Sequence, residues 1–255
     1  MNVKDCVAIV TGGASGLGEA TVRNVVKLGG KAAIMDIQVE RGENLAKELG
    51  SNVIFVAGDV TKEADAENVV AKTIAAFGSF NFVVNCAGVA NPGKLISKKG
   101  VITLDFFKKV IDINLNGTFN VLRLGVEKMK DNTPNAEGER GVIINVASVA
   151  TFDGQIGQAA YSASKAGVWG MCLPIARECA DYGIRVMTIA PGVFDTPMVG
   201  ALPEAAKISL GQMMPFPKRL GKAEEFASLA QEIYENPYMN GECIRLDASV
   251  RLAAK

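Results

Sequence analysis

Tyr161 and Lys165, four residues apart in Tyr-Ser-Ala-Ser-Lys, would share one face of a helix, where an ammonium near a phenol favours the phenolate. That would bring a group of ordinary pKa about 10 towards working pH. Ser148 follows the apolar run from Val142 to Ala147, where a strand would hand over to a loop. Its hydroxyl could hold a substrate oxygen against that of Tyr161, so the two would bind one alcohol oxygen and move its proton. A Tyr-x-x-x-Lys pair by itself is common, and ordinarily means a half-buried ring beside a solvated amine. A second signal near the start of the chain changes its meaning.

That signal is the glycine-rich turn Thr11-Gly-Gly-Ala-Ser-Gly-Leu-Gly18. Before it, Val7 to Val10 reads as a strand buried on both faces of a parallel sheet. After it, Glu19 to Leu28 carries apolar residues at helical spacing and stops at Gly29-Gly30. Gly12, Gly16 and Gly18 would let the backbone approach a pyrophosphate, whose charge the amides at the helix start are oriented to bind. The spacing is Gly-x-x-x-Gly-x-Gly rather than the common Gly-x-Gly-x-x-Gly, and alone it could equally be a plain tight turn.

A second strand, Lys31 to Met35, ends at Asp36, where an adenosine ribose would be read. A carboxylate there accepts hydrogen bonds from the ribose hydroxyls and repels a 2′-phosphate, which favours NAD over NADP. Arg41 is the nearest following arginine, and Asp36 could instead cap the helix around Glu40 to Leu49. A third strand, Val53 to Val56, leads to Asp59 and Val60, which suit the adenine, although Asp59 could also cap the helix after Thr61. A fourth, Phe82 to Val84, leads to Asn85, Cys86, Ala87 and Gly88, which suit the ribose and support of the sheet. The expected fold is α/β, a Rossmann-type doubly wound parallel sheet with helices on both faces and a small helical substrate lid.

With these residues in hand, the chain resembles the short-chain dehydrogenase/reductases. Gly12-x-x-x-Gly16-x-Gly18, Asn85-Cys-Ala-Gly88, Asn114, Ser148, Tyr161-x-x-x-Lys165 and Pro191-Gly192 occur in that family's order and spacing over essentially the whole chain. Longer runs, among them Gly117 to Leu124, Gly157 to Lys165 and Gly183 to Gly192, resemble its branch of type 2 3-hydroxyacyl-CoA dehydrogenases, also described as type 10 17β-hydroxysteroid dehydrogenases. The resemblance implies Tyr161 as acid/base, Lys165 as the group that lowers its pKa and holds the nicotinamide ribose, and Ser148 as the carbonyl binder. Asn114 would distort its helix and hold a water linking Lys165 to solvent; read from the residue alone, a mid-helix Asn usually just faces solvent. Ser15, Leu17, Asp36, Asp59, Val60 and Cys86 would line the NAD site, with Phe194 and Thr196 reaching the nicotinamide amide beyond Pro191-Gly192. The branch usually has Gly where Asp195 stands.

The substrate implied is a 3-hydroxyacyl-CoA oxidised to the 3-ketoacyl-CoA. A broad secondary-alcohol or hydroxysteroid dehydrogenase would use the same apparatus. A non-catalytic NAD-binding scaffold would usually have lost Ser148, Tyr161 or Lys165, and all three are present. The family also implies a homotetramer built on the helices beside Asn114 and Tyr161 and on the last strand near Glu242 to Asp247.

Composition limits the rivals. The 255 residues, 49% of them hydrophobic, can fill one large α/β domain, read here as residues 1–255. Formal net charge is zero with no basic cluster, so nucleic acid is not an evident ligand. The chain has no histidine, which excludes a Ser-His-Asp hydrolase and any His-based metal site. The five cysteines, Cys6, Cys86, Cys172, Cys179 and Cys243, are widely spaced and read as buried thiols in a reducing compartment, with no metal site expected. No stretch approaches a membrane span, and with the first strand starting at Val7 no leader is expected. A cytoplasmic location is expected, or the mitochondrial matrix if the source has one.

Two segments interrupt the alternation of strands and helices. Asn91 to Thr103 is placed to shape a substrate pocket, while Asp131 to Arg140 reads as a polar surface loop. Residues 193–217, with Met198, Leu202, Leu210, Met213, Met214 and Phe216, would form a mobile lid or simply a helical pair packed on the sheet. Lys94, Lys98 and Lys99 could meet the phosphates of a CoA thioester, although a lysine-rich loop is more often merely solvated.

Overall fold

The computed structural model describes residues 1–98, 100–200 and 204–254, without the side chains of 198 and 204–207. Lys99 and Leu202 lie outside the described residues, as does the side chain of Met198.

Strands β1 (Val7–Thr11), β2 (Lys31–Asp36), β3 (Val53–Ala57) and β4 (Phe82–Asn85) alternate with helices α1 (Gly16–Lys27), α2 (Val39–Leu49) and α3 (Glu63–Phe77). Between Ile96 and Val101 lies a short antiparallel hairpin, β5 (Ile96–Ser97) and β6 (Gly100–Val101), inside the segment expected only as a pocket-shaping loop. Helix α4 (Leu104–Ile111) then widens into a π-helical turn, Asp112–Asn116, before α5 (Gly117–Met129). The second half runs β7 (Gly141–Val146), α6 (Ala159–Gly170), α7 (Cys172–Cys179), β8 (Ile184–Pro191), α8 (Pro197–Gly200), α9 (Glu204–Gln212), α10 (Ala223–Glu235) and β9 (Cys243–Leu246).

The seven long strands pair in parallel in the order β3-β2-β1-β4-β7-β8-β9. This is the expected doubly wound sheet, and its strand order reverses between β1 and β4. Alternate side chains of each strand serve opposite layers. Val10, Ile34, Val84, Ile144 and Ile189 pack with α1 and α10 on one face; Ile9, Met35, Val83, Ile143 and Val186 pack with α3, α5 and α7 on the other. These side chains are fully buried, and each contributes about 1.5–3 kcal/mol by leaving water. Burial on both faces explains why the strands read as continuous apolar runs rather than alternating ones.

The stretch Asp131 to Arg140 is largely the exposed polar loop expected, with one exception. Glu139 is buried there, its carboxylate 2.7 Å from Nε of Arg185 and 3.0 Å from the amino group of Met1. Arg185 in turn donates to the carbonyls of Ile233, Tyr234 and Met239, tying the end of α10 to the sheet. Local polarity concealed this because the partner, Arg185, lies far along the chain on β8. All five cysteines are free, three of them buried and Cys86 and Cys243 half-buried.

Candidate active site

The glycine turn, the loops after β3 and β4, Ser148 after β7 and the Pro191-Gly192 bend after β8 all leave the sheet at its carboxyl edge. Between them lies a cleft of about 1210 Å³ at the point where the strand order reverses. Gly12, Ser15, Gly16, Leu17, Gly18, Asp36, Asp59, Val60, Cys86, Ala87 and Gly88 line one part of it. Ser148, Tyr161, Lys165, Pro191, Gly192, Phe194 and Thr196 line the rest. Of the expected site residues only Asn85 and Asn114 do not. Asn85 is buried in the sheet, where its Nδ2 donates to Oδ1 of Asn145 at 2.9 Å, so it supports β4 and β7 rather than touching a ligand.

Asn114 sits behind the cleft wall. Its Oδ1 accepts from the Val89 amide at 2.8 Å, and its Nδ2 donates to the Val89 carbonyl at 2.9 Å and to Oγ of Ser164 at 3.0 Å. The residue therefore stitches the loop after β4 to helix α6 instead of facing solvent, and the π turn is the local widening that places it. Its own carbonyl accepts from the Thr118 hydroxyl at 2.8 Å.

The glycine turn fits a dinucleotide by its sterics. Gly12 has φ +62°, and a Cβ there would stand 2.9 Å from the backbone of Ala87, so any larger residue would force the two loops apart. Ser15, the residue before α1, makes no side-chain capping bond, which leaves the first amides of that helix for an anion. Asp36 is buried at the end of β2; its Oδ2 accepts from the Ala14 amide at 3.1 Å and its Oδ1 from the Gln38 amide at 3.0 Å. It does not cap α2, whose N-cap is Gln38. Asp59 likewise is not a helix cap: its carboxylate closes a turn on Thr61, at 2.9 Å to the amide and 2.8 Å to the hydroxyl, and α3 starts after Lys62.

At the other part of the cleft, Ser148 caps the short turn Val149–Thr151, its Oγ accepting from the Ala150 amide at 3.1 Å. Lys165 is buried, with Nζ 2.7 Å from the Val146 carbonyl and 6.0 Å from the centroid of the Tyr161 ring. The expected lowering of the phenol is not met. Burial pushes Tyr161 up, and an interaction with the Ser148 side chain only partly opposes it. Burial also brings Lys165 down to about 8, so the ammonium that was to hold the phenolate is itself weakened and is spent on a backbone carbonyl. Cys86, beside Lys165, is pushed by burial up to about 12, which makes it an inert wall rather than a nucleophile.

A model of the family described as short chain dehydrogenase matches residues 6–207. The chain belongs to the short-chain dehydrogenases. The human 3-hydroxyacyl-CoA dehydrogenase type-2 is 52% identical to it over 253 residues, covering 98% of this chain and 97% of the relative. The enzyme of the same name from Drosophila melanogaster is 51% identical over 252 residues, covering 98% and 99%. The crystal structure of 3-hydroxyacyl-CoA dehydrogenase type-2 from Mycobacterium avium superposes with a TM-score of 0.93 at 40% identity, covering 99% of this chain and 98% of that one.

This short-chain dehydrogenase is therefore an oxidoreductase that acts on a small molecule with a nicotinamide cofactor, and the glycine turn and the amides at the start of α1 could hold such a cofactor. Several lining residues carried no sequence signal. Gln155 and Leu252 enter the cleft from a loop and from the C-terminal tail, where neither motif nor periodicity marks them. From the expected lid, Leu210 and Met213 line the cleft, whereas Met214 is buried in the protein and Phe216 is 83% exposed. Lys94 and Lys98 are exposed and stand outside the cleft. No helix among the described residues is long and apolar enough to cross a membrane.

Proposed function

We propose that this short-chain dehydrogenase uses NAD to interconvert a 3-hydroxyacyl-CoA and the corresponding 3-ketoacyl-CoA within a single domain of residues 1–255. The observation that carries the reading is one continuous cleft with Asp36 in one part and Ser148, Tyr161 and Lys165 in another. A buried carboxylate suits the two ribose hydroxyls of NAD and opposes a 2′-phosphate. The names of the human and fruit-fly relatives supply the substrate class.

When bound, the nicotinamide supplies the hydride acceptor. Tyr161 takes the hydroxyl proton of the substrate in oxidation and returns it to the developing alkoxide in reduction, while the Ser148 hydroxyl holds the same oxygen. Lys165 holds the nicotinamide ribose. Asn114 anchors Lys165's surroundings by tying the Val89 backbone to Ser164 on the helix that carries Lys165, and its place in the π-helical turn suits a water on the way to solvent. The acyl chain lies beside Leu210 and Met213, and the exposed Lys94 and Lys98 suit CoA phosphates that stay in solvent. A cytoplasmic or matrix location and a homotetramer complete the reading. The half-exposed Phe119 on α5 and Trp169 on α6 are suitable apolar surface for the assembly.

The test is NADH formation from NAD with 3-hydroxybutyryl-CoA, beside free 3-hydroxybutyrate and a 17β-hydroxysteroid. Preference for the thioester supports the reading. Equal or better rates on the others would move the function to a broad secondary-alcohol or hydroxysteroid dehydrogenase, and silence on all three would leave only an NAD-binding scaffold. A pH profile adds an independent check. Because burial raises Tyr161, its deprotonated fraction is small at neutrality and grows with pH. Oxidation is expected to climb between about pH 7 and 9 and reduction to fall over the same range. A flat oxidation profile would count against Tyr161 as the base.

A further inference from the structure

The last strand does not end the fold. After β9 the chain reverses through Ala248 and Ser249, two consecutive non-glycine residues at φ 49° and 63°, a conformation that persists only where the surroundings over-determine it. It then runs back over the loop that precedes the catalytic helix. The Ala254 carbonyl accepts from the Ile156 amide at 3.0 Å, and the Ala253 carbonyl accepts from Nε2 of Gln155 at 3.0 Å. Between these anchors and the buried Val250, Leu252 lines the cleft.

One side chain holds both sides of this arrangement. Arg245, on β9, places Nε 2.7 Å from Oδ2 of Asp247 and Nη2 2.6 Å from Oδ2 of Asp153, donates to the Val250 carbonyl at 3.1 Å, and stacks its guanidinium 5.0 Å from the Phe152 ring centroid. The planar fork thus joins the root of the tail to the loop of residues 152–158, which delivers Tyr161. The same loop contributes Gln155 and Gln158 to the cleft. The tail is tied to the Ser148 and Tyr161 part of the cleft, while Asp36 and Gln38 line the cofactor part.

We infer that residues 249–254 form a strap that walls the substrate end of the cleft, that Leu252 on it limits the length of the apolar chain admitted, and that Arg245 is the positioning residue that holds the strap in place. The identity of that chain as the acyl group of a thioester rests on the function proposed above; the wall does not.

The experiment measures kcat/KM for 3-hydroxybutyryl-CoA and 3-hydroxydecanoyl-CoA, and in parallel for 2-butanol and 2-decanol, in the full-length protein. Wild-type rates on the thioesters judge the acyl-CoA reading, and ratios of long to short chain in whichever series is turned over judge the strap. Leu252→Ala should raise that ratio about tenfold and Leu252→Trp should lower it by a similar factor, since a methylene or two in an apolar pocket decides factors of that size. Arg245→Met should shift the ratio in the same direction as Leu252→Ala, through KM more than kcat. In the Leu252→Ala background Arg245→Met should add almost nothing. An unchanged ratio in both Leu252 variants would overturn the wall. A full-sized Arg245→Met shift in the Leu252→Ala background would overturn the positioning role.

Discussion

Tyr161→Phe is expected to lower kcat by about a thousandfold while the affinity for NADH changes by less than about twofold, because general acid–base groups contribute factors of that order. The substitution removes one oxygen and leaves the ring that lies beside Lys165. Apart from its interaction with the Ser148 side chain, the site is held without that hydroxyl: Lys165 is held by the Val146 carbonyl, and Ser148 keeps its bond to the Ala150 amide. The loss should therefore be confined to the chemical step. Fluorescence titration of NADH and stopped-flow turnover separate the two quantities. The residual activity should also lose the rise with pH that the buried phenol imposes on oxidation. A fall in NADH affinity as large as the fall in rate would mean that Tyr161 serves binding, and the proton would have to be assigned elsewhere.

The contrast between Tyr161 and Lys165 indicates what was readable in the chain and what was not. Helical spacing placed the two on one face, and both do lie on α6 in the cleft. The direction of their titration did not follow, because it depends on burial by β7 and the loop after β4, far away in sequence. The parallel strands were legible as apolar runs, and the glycine turn as a conformational demand that Gly12 meets at φ +62°. Helix starts were less legible. Asp36 and Asp59 each admitted a cap as the alternative to a ligand role, but both carboxylates bind amides of turns, since a short carboxylate serves several local geometries equally well. Contacts between distant segments left no mark at all. Glu139 with Arg185, Asp153 with Arg245, and Leu252 in the cleft each need the folded sheet to bring their partners together.

Asp36→Asn is expected to remove most of the discrimination between NADH and NADPH without inverting it. The carboxylate is buried and lines the cleft. Against a phosphate about 5 Å away, a unit like charge in an effective dielectric of about 20 costs about 3 kcal/mol, roughly a hundredfold in affinity. The amide keeps the shape and one acceptor oxygen, so it can retain the bond from the Ala14 or the Gln38 amide but not both. NADH binding should weaken by about tenfold as a charge-assisted acceptor for the ribose is lost. Inversion would need a cation aimed at the 2′-position. The nearest following arginine, Arg41, does not line the cleft and lies 3.5 Å from Glu19, a carboxylate that also binds Arg23 at 2.9 Å. Release of Arg41 by Glu19→Gln in the Asp36→Asn background should then carry the preference past parity towards NADPH. Dissociation constants for both reduced cofactors decide it. Unchanged rejection of NADPH by Asp36→Asn would show that shape, not the charge of Asp36, selects the cofactor.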